Sequence, residues 1–386
     1  MKPKVILDVD PGIDDTIAII CALFSQCLEV IGITTVKGNV DSKQGYLNVL
    51  HTIQLANKKN IPVIEGHNKW INDKPLPPSI RSLQQQKHGK DGIGNQTVNK
   101  KNTRHDKKGN DGEGGGEGIK KEFQGSHLKI DEFVKDSIVR RFQSKGEKVS
   151  IIATGPLTNI AKALENPSFA PSIEEISIMG GSFGFLTDNK GKEKSVQGII
   201  EPAEFNFHCD PLAVKAIIDA KHGELRNTRI SIAGLDVTQH QKAILNSKFI
   251  HNIEDNLDKN SNISKNGNTS SNSGSSIRGS RRNSPLITFV LSLLNFKATF
   301  NESFYLHDVV SLWMFEQPSS FIFNRGSINI HLNGKSRGQV EFMQTTDCNS
   351  SNNLRDFFIA REISDKNDFG NYLRDRIISI IRQSES

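Results

Sequence analysis

Four aspartates, Asp8, Asp10, Asp14 and Asp15, fall within eight residues of the stretch VILDVDPGIDDTIAI (Val5–Ile19). Carboxylates that close repel one another, and burying one without a partner is costly. Either water screens them or a cation sits among them. VILDV reads as a strand, Pro11–Gly12 as a turn, and DDTIAIICALF as an amphipathic helix. Asp14 and Asp15 then lie in a first helical turn, where unpaired N–H groups and the helix dipole favour negative charge. Capping accounts for those two and leaves Asp10, at the strand end, without a reason. Three or four carboxylates around one turn suit a hard divalent cation with oxygen ligands, Ca²⁺ or Mg²⁺. Such an ion also keeps neighbouring carboxylates ionised. Asp8 alternates with Asp10 and reads as a structural acid paired inside the site. A DxD at a strand end also occurs in phosphatases with an aspartate nucleophile. No lysine motif completes such a site here, so that reading is the weaker one.

The elements that must position these groups alternate along the chain. Val5–Val9, Val30–Val36, Pro62–Gly66, Val149–Gly155, Glu175–Gly181 and Arg229–Thr238 read as buried strands. Helical patterns lie between several of them, in DDTIAIICALF, GYLNVLHTIQLAN, KIDEFVKDSIVRRF and DPLAVKAIIDA. Alternation of this kind predicts an α/β domain with a mainly parallel sheet covered on both faces. Ligands of such sheets sit beyond the carboxyl ends of the strands. Asp10, Asn39, Thr154 and Gly180–Gly181 all fall at or just after strand ends, on what should be one edge.

Composition narrows the classes. The chain has 386 residues, enough for one large α/β domain, and its 35% hydrophobic residues are concentrated in the strands and helices. No apolar run is long enough to span a membrane, and MKPKVILDVD lacks signal-peptide architecture. Four cysteines without metal spacing predict reduced thiols in a protein of the cytoplasm, or of the nucleus. The net charge of +6 does not predict a nucleic-acid groove, because five of the six excess charges lie in Gln96–Glu122 and Asp255–Pro285. These two stretches are Gly/Lys/Asn-rich and Asn/Ser-rich, and cannot bury enough apolar surface to offset their ordering entropy. The expectation is one domain, residues 1–386, with disordered insertions at about 95–122 and 255–285.

The motifs taken together resemble the inosine-uridine preferring, calcium-dependent nucleoside hydrolases. DVDPGIDD (Asp8–Asp15) is similar to the family's N-terminal signature, TVKGNV (Thr35–Val40) to its second loop, and HGKDGIG (His88–Gly94) to its mobile loop. ATGPLTNIAKAL (Ala153–Leu164), MGG (Met179–Gly181), PAEFNFHCDPLAV (Pro202–Val214), GLDVT (Gly234–Thr238) and HD (His307–Asp308) follow in family order. The resemblance covers the chain apart from the two insertions. It implies a Rossmann-like mixed sheet flanked by helices, and a dimer or tetramer. It also implies a small-molecule ribonucleoside substrate, uridine or inosine, cleaved to ribose and free base.

The resemblance carries roles to matching positions. Asp10, Asp15, Asp308 and the carbonyl of Thr154 become Ca²⁺ ligands, and Asp14 the general base. Asn39, Met179, Glu204, Asn206 and His88 become substrate-binding residues. His307 becomes the acid that protonates the leaving base, a task suited to an imidazole near neutral pH. His51, His67, His208, His240 and His331 are left as structural or surface residues. One departure stands out: Gly198 occupies a position where the family usually has an Asn aimed at the ribose 5′ end, and Gln197 or Asn189 are the candidates to replace it. That departure motivates a second reading, a nucleoside- or ribose-binding protein without catalysis. Phe289 and Phe296, after the second insertion, are candidates to pack near the base, though core packing is the plainer role.

Overall fold

The structure, a computed structural model, describes residues 2–72, 74–96, 130–185, 203–261, 284–345 and 355–384. It opens with β1 (Lys4–Val9), α1 (Ile13–Leu23), β2 (Glu29–Thr35), α2 (Ser42–Leu55), β3 (Val63–Glu65) and α3 (Pro78–His88). Next comes α4, built of Ile130–Phe133, a π-helical stretch Val134–Val139 and Arg140–Lys145. It is followed by β4 (Val149–Ala153), α5 (Thr158–Ala163), β5 (Ile173–Met179), α6 (Phe205–Cys209), α7 (Pro211–His222) and β6 (Arg229–Ala233). The remainder is α8 (Leu235–Thr238), β7 (Leu245–Asn246), α9 (Ser247–Ser261), α10 (Pro285–Ala298), β8 (Ser303–Phe304) and α11 (His307–Glu316). The chain closes with β9 (Phe321–Ile330), β10 (Val340–Gln344), β11 (Phe357–Ile363) and α12 (Phe369–Ser384).

Nine of these strands form one sheet in the order β10-β9-β11-β6-β5-β4-β1-β2-β3. From β3 to β6 the order is that of the dinucleotide-binding folds, with every neighbouring pair parallel. The strand order reverses between β1 and β4, so a crevice opens beyond their carboxyl ends. β11 joins β6 in parallel, and β9 runs antiparallel to both β11 and β10. The expected α/β class, with a mainly parallel mixed sheet, is what forms.

Residues of β1 face opposite ways in turn, as a strand requires. Val5, Leu7 and Val9 enter a core with α1, α2, α10, α11 and α12, while Ile6 enters a second core with α4, α5 and α7. Both faces are therefore apolar, which is why VILDV lacks clean alternation.

Some expectations are corrected. The strand expected over Arg229–Thr238 stops at Ala233, and Leu235–Thr238 forms a helical turn capped at Gly234. The Asn/Ser-rich stretch expected to be disordered from Asp255 begins inside α9, which runs to Ser261. Residues 97–122 and 262–283 lie outside the described residues, as do Asn189, Gln197 and Gly198. Cys21, Cys27 and Cys209 are free thiols, and Cys348 is likewise outside the described residues. No helix among the described residues is long and apolar enough to cross a membrane.

One polar clasp holds the two helices that carry site residues. Glu316, at the end of α11, is fully buried and accepts from Ser25 just beyond α1, from Arg376, and from the Tyr372 hydroxyl at 2.6 Å. Trp313 stacks on Tyr372 with ring centroids 5.3 Å apart, extending the contact to α12. Arg376→Met leaves Glu316 buried and short of its cation. It is expected to lower the unfolding free energy by about 3–5 kcal/mol, measured by urea denaturation; a change under about 1 kcal/mol, the scale of an exposed pair, contradicts the clasp.

Candidate active site

The turn between β1 and α1 places three carboxylates. Asp10 leaves the strand fully buried, and Asp14 and Asp15 enter the first turn of α1. Asp15 braces the turn: Oδ2 accepts from the Gly12 N–H at 2.9 Å, and Oδ1 accepts from the Asp10 N–H at 3.3 Å and from Thr154 Oγ1 at 2.7 Å. The last contact ties the first turn of α1 to the end of β4. Asp10 Oδ2 accepts from the Asn39 N–H at 2.7 Å. That approach requires Gly38, since a Cβ there would stand 1.9 Å from Asp10 Oδ2. Asp10 Oδ1 is buried with no hydrogen-bond partner.

α11 begins at the same edge and brings Asp308 from the far end of the chain. One carboxylate oxygen each from Asp14, Asp15 and Asp308 lie within 4.8 Å of one another, all buried. The expected ligand set had Asp10 in place of Asp14; here Asp10 stands beside this trio, in electrostatic contact with Asp15 and Asp14. Burial, then Asp15, Asp14 and Asp10 push Asp308 well above the usual carboxylate range. Burial and Asp15 do the same to Asp10. Hard oxygen donors, converging and unbalanced, with an orphaned oxygen alongside, fit a divalent cation.

Asp14 is held the other way. Burial alone would raise it, but its neighbours, Lys297 foremost, more than offset that and hold it below the usual range. Lys297 Nζ lies 3.3 Å from Asp14 Oδ1. His88 Nδ1 is 3.5 Å from the same oxygen, yet this is not an ion pair. That nitrogen accepts from the Ile13 N–H at 3.1 Å, so the ring carries its proton on Nε2. Burial, then Lys297 push His88 down to about 3, in keeping with a neutral ring.

The other expected residues fall around this centre with different duties. Asn39 also donates from Nδ2 to Asp15 Oδ2 at 3.3 Å. Asn206 Nδ2 donates to the carbonyls of Thr154 at 2.7 Å and Met179 at 3.2 Å, so its Oδ1 is the atom left for a ligand. The Thr154 carbonyl, an expected metal ligand, thus already has one partner. Glu204, expected on the ribose, caps α6: it accepts from the N–H groups of Asn206, Phe207 and Gly181 at 2.8, 3.1 and 3.0 Å. Asp8 is the structural acid its position suggested, accepting from Thr34 at 2.6 Å and Asn159 at 2.7 Å.

His307 is partly buried, with Nδ1 2.7 Å from Thr238 Oγ1. Its dry surroundings, with Lys297 and Lys87, push it down to about 4 against the pull of Asp14. With its proton affinity lowered, less of His307 carries the proton a general acid must give at neutral pH than the free imidazole invoked from sequence would. The loop from His88 to Gly94 is packed rather than open: Asp91 Oδ1 accepts from the N–H groups of Ile93 and Asn95, and Asn48 donates to the Asp91 carbonyl. Phe289 is buried against His51, and Phe296 lies against Gly94. Lys297, Lys87 and Thr238 escaped sequence reasoning. None has a local spacing that marks it; only Lys297 carries a hint, as a lone cation at the end of an apolar helix.

A sheet of this order with a carboxylate trio at its switch point defines an α/β protein with a candidate cation site at the strand ends. The chain belongs to the inosine-uridine preferring nucleoside hydrolases, whose family model matches residues 5–369. Probable uridine nucleosidase 2 of Arabidopsis thaliana is 31% identical over 57% of this chain and 61% of its own length. Probable uridine nucleosidase 1 of Oryza sativa subsp. japonica is 28% identical, over 61% and 60%. The chain thus spans about three-fifths of the length of these two curated relatives. The pyrimidine-specific ribonucleoside hydrolase RihA of Klebsiella pneumoniae is 30% identical over 64% of each chain. Among solved structures, a plant nucleoside hydrolase, the PpNRh1 enzyme, superposes with a TM-score of 0.68 at 23% identity over 98% of this chain and 99% of its own, a likeness of fold.

The buried acids predict an unusual pH dependence for metal-free protein. Burial raises Asp8 to about 6 and Glu204 to about 7, and Asp10, Asp15 and Asp308 are raised too. Between about pH 4 and 7 these groups bind protons in the folded state that the unfolded chain has released, so stability falls as pH rises. Asp14 and the neutral rings of His88 and His307 work in the opposite sense, but the raised acids outnumber them. In EDTA the urea midpoint is therefore expected to fall across that window, and added Ca²⁺ to raise it most at the upper end. A midpoint that is flat with pH and indifferent to Ca²⁺ contradicts the picture of an unbalanced acidic cluster.

Proposed function

We propose that this protein hydrolyses the N-glycosidic bond of ribonucleosides, releasing ribose and a free base, with uridine and inosine as first candidates. The observation that carries the reading is the convergence of Asp14, Asp15 and Asp308 at the switch point, with His307 and Lys297 beside them. Family membership supports the reaction class, and the uridine nucleosidases among the relatives support uridine.

Cleavage of such a bond passes through a ribosyl cation with oxocarbenium character. A wall of buried carboxylates favours positive charge at the sugar, because fixed charges in a dry site act with little screening. Asp14 is kept ionised by Lys297 and is placed to take a proton from the attacking water. Asn206 Oδ1 is the free acceptor for a ribose hydroxyl. Asn39 and Glu204 hold the frame around it, and Met179 and His88 border the site. His307 and the Thr238 hydroxyl form a polar pair on the side of Asp14 where the base would leave. Asp10, Asp15, Asp308 and the Thr154 carbonyl are the groups that would hold Ca²⁺, which when bound makes water easier to deprotonate and orients sugar hydroxyls. The reading includes assembly as a homodimer or homotetramer, which light scattering measures.

Incubation with a panel of nucleosides, with and without a chelator, is expected to release reducing sugar only when divalent cation is present. Asp14→Ala is expected to lower kcat by about 10²–10⁴-fold with the fold retained by circular dichroism; near-full activity of that variant removes Asp14 from its role. Uridine bound without any sugar release would instead identify a binding protein.

A further inference from the structure

One charged group at the site touches no reacting atom in the reaction as described. Lys297, at the last turn of α10, buries its side chain to 12% exposure and points its ammonium at Asp14 Oδ1. Burying an ammonium costs several kcal/mol unless it is well paired. Here it has one carboxylate oxygen, and its other two N–H bonds meet no protein acceptor among the described residues. Lys87, on α3, is within electrostatic range of Lys297 and of Asp14, so the cationic character on this side is shared. Asp14 consequently borders two unlike walls. One is the oxygens of Asp15 and Asp308, within 4.8 Å, and the other is the ammonium of Lys297 at 3.3 Å.

The chemistry needs both walls. The bond between C1′ and the base nitrogen breaks heterolytically, and both electrons go to the base. The water oxygen bonds to C1′, and its proton passes to Asp14. Positive charge develops at the sugar and negative charge on the base, which later takes a proton from solvent. The carboxylates answer the first charge, and Lys297 is the permanent cation placed to answer the second. We propose that Lys297 is a catalytic residue of the leaving-base subsite, its ammonium neutralising the charge that gathers on the departing base. The inference rests on the hydrolase reading above.

The alternative is that Lys297 only positions Asp14, and two substrates separate the roles. Uridine expels a poorly stabilised anion, whereas 4-nitrophenyl β-D-ribofuranoside expels a phenolate that needs no partner. Both require the same ribose contacts, the same water and Asp14. With Ca²⁺ present, and at a pH alkaline enough to keep Asp14 ionised without its partner, Lys297→Met is expected to lower kcat on uridine by about 10²–10³-fold, the scale for losing one charge-stabilising donor, and to leave the nitrophenyl riboside within about fivefold. Lys297→Arg, which keeps the charge, is expected to recover part of the uridine rate. It also reads the selectivity if the Met variant melts early. Equal losses on the two substrates, or no loss on uridine, overturn the proposal. Wild-type protein inactive on both overturns the hydrolase reading itself, and this inference with it.

Discussion

Asp10, Asp14, Asp15 and Asp308 share one small volume at the ends of β1 and β4, and the charge of Asp14 makes the other three harder to ionise. Most of the local structure counteracts that repulsion. Main-chain N–H groups of Asp10, Gly12 and Asn39 point at carboxylate oxygens. The Thr154 hydroxyl reaches Asp15 from the next strand. Lys297 meets Asp14 from outside the sheet. What is left over is the unpaired oxygen of Asp10 and the elevated proton affinity of Asp308, the signature of a site short of positive charge.

The fold turns that local deficit into a directed one. Because β1 and β4 are neighbours at the reversal of strand order, the loops after them diverge and leave a crevice. Helices α1 and α11 start at that crevice and end at the Glu316 clasp, so their first turns are held from the opposite end. The carboxylates therefore rest on rigid elements anchored in the core rather than on loops.

Much of this was legible in the residues. DVDPGIDD announced strand, turn and helix because Pro-Gly cannot continue either neighbour and the acids suit a helix start. The six parallel strands were visible as β-branched runs between helical patterns. β9, β10 and β11 were not anticipated: Phe321–Ile330 mixes Asn, Arg, Gly and Ser into its apolar pattern, and its outer face stays partly exposed. Glu204 was expected on a ligand, and its role as a helix cap was not foreseen, since the sequence does not say which N–H groups a carboxylate will meet. Lys297 shows the limit most plainly. Its meeting with Asp14 spans 283 positions, and no local period encodes a contact of that range.

That span has a temporal side. Asp15 is held by Thr154, and the trio closes only with Asp308, so a polypeptide emerging from the ribosome owns a complete site only once Asp308 has been made. Until then β1 offers its acids with no matching counter-charge and, lacking β4, no second neighbour on one side. Such distant pairings are slow to form and leave strand edges uncovered meanwhile. A cation captured late, after the last helices dock, would act as a seal on the finished chain.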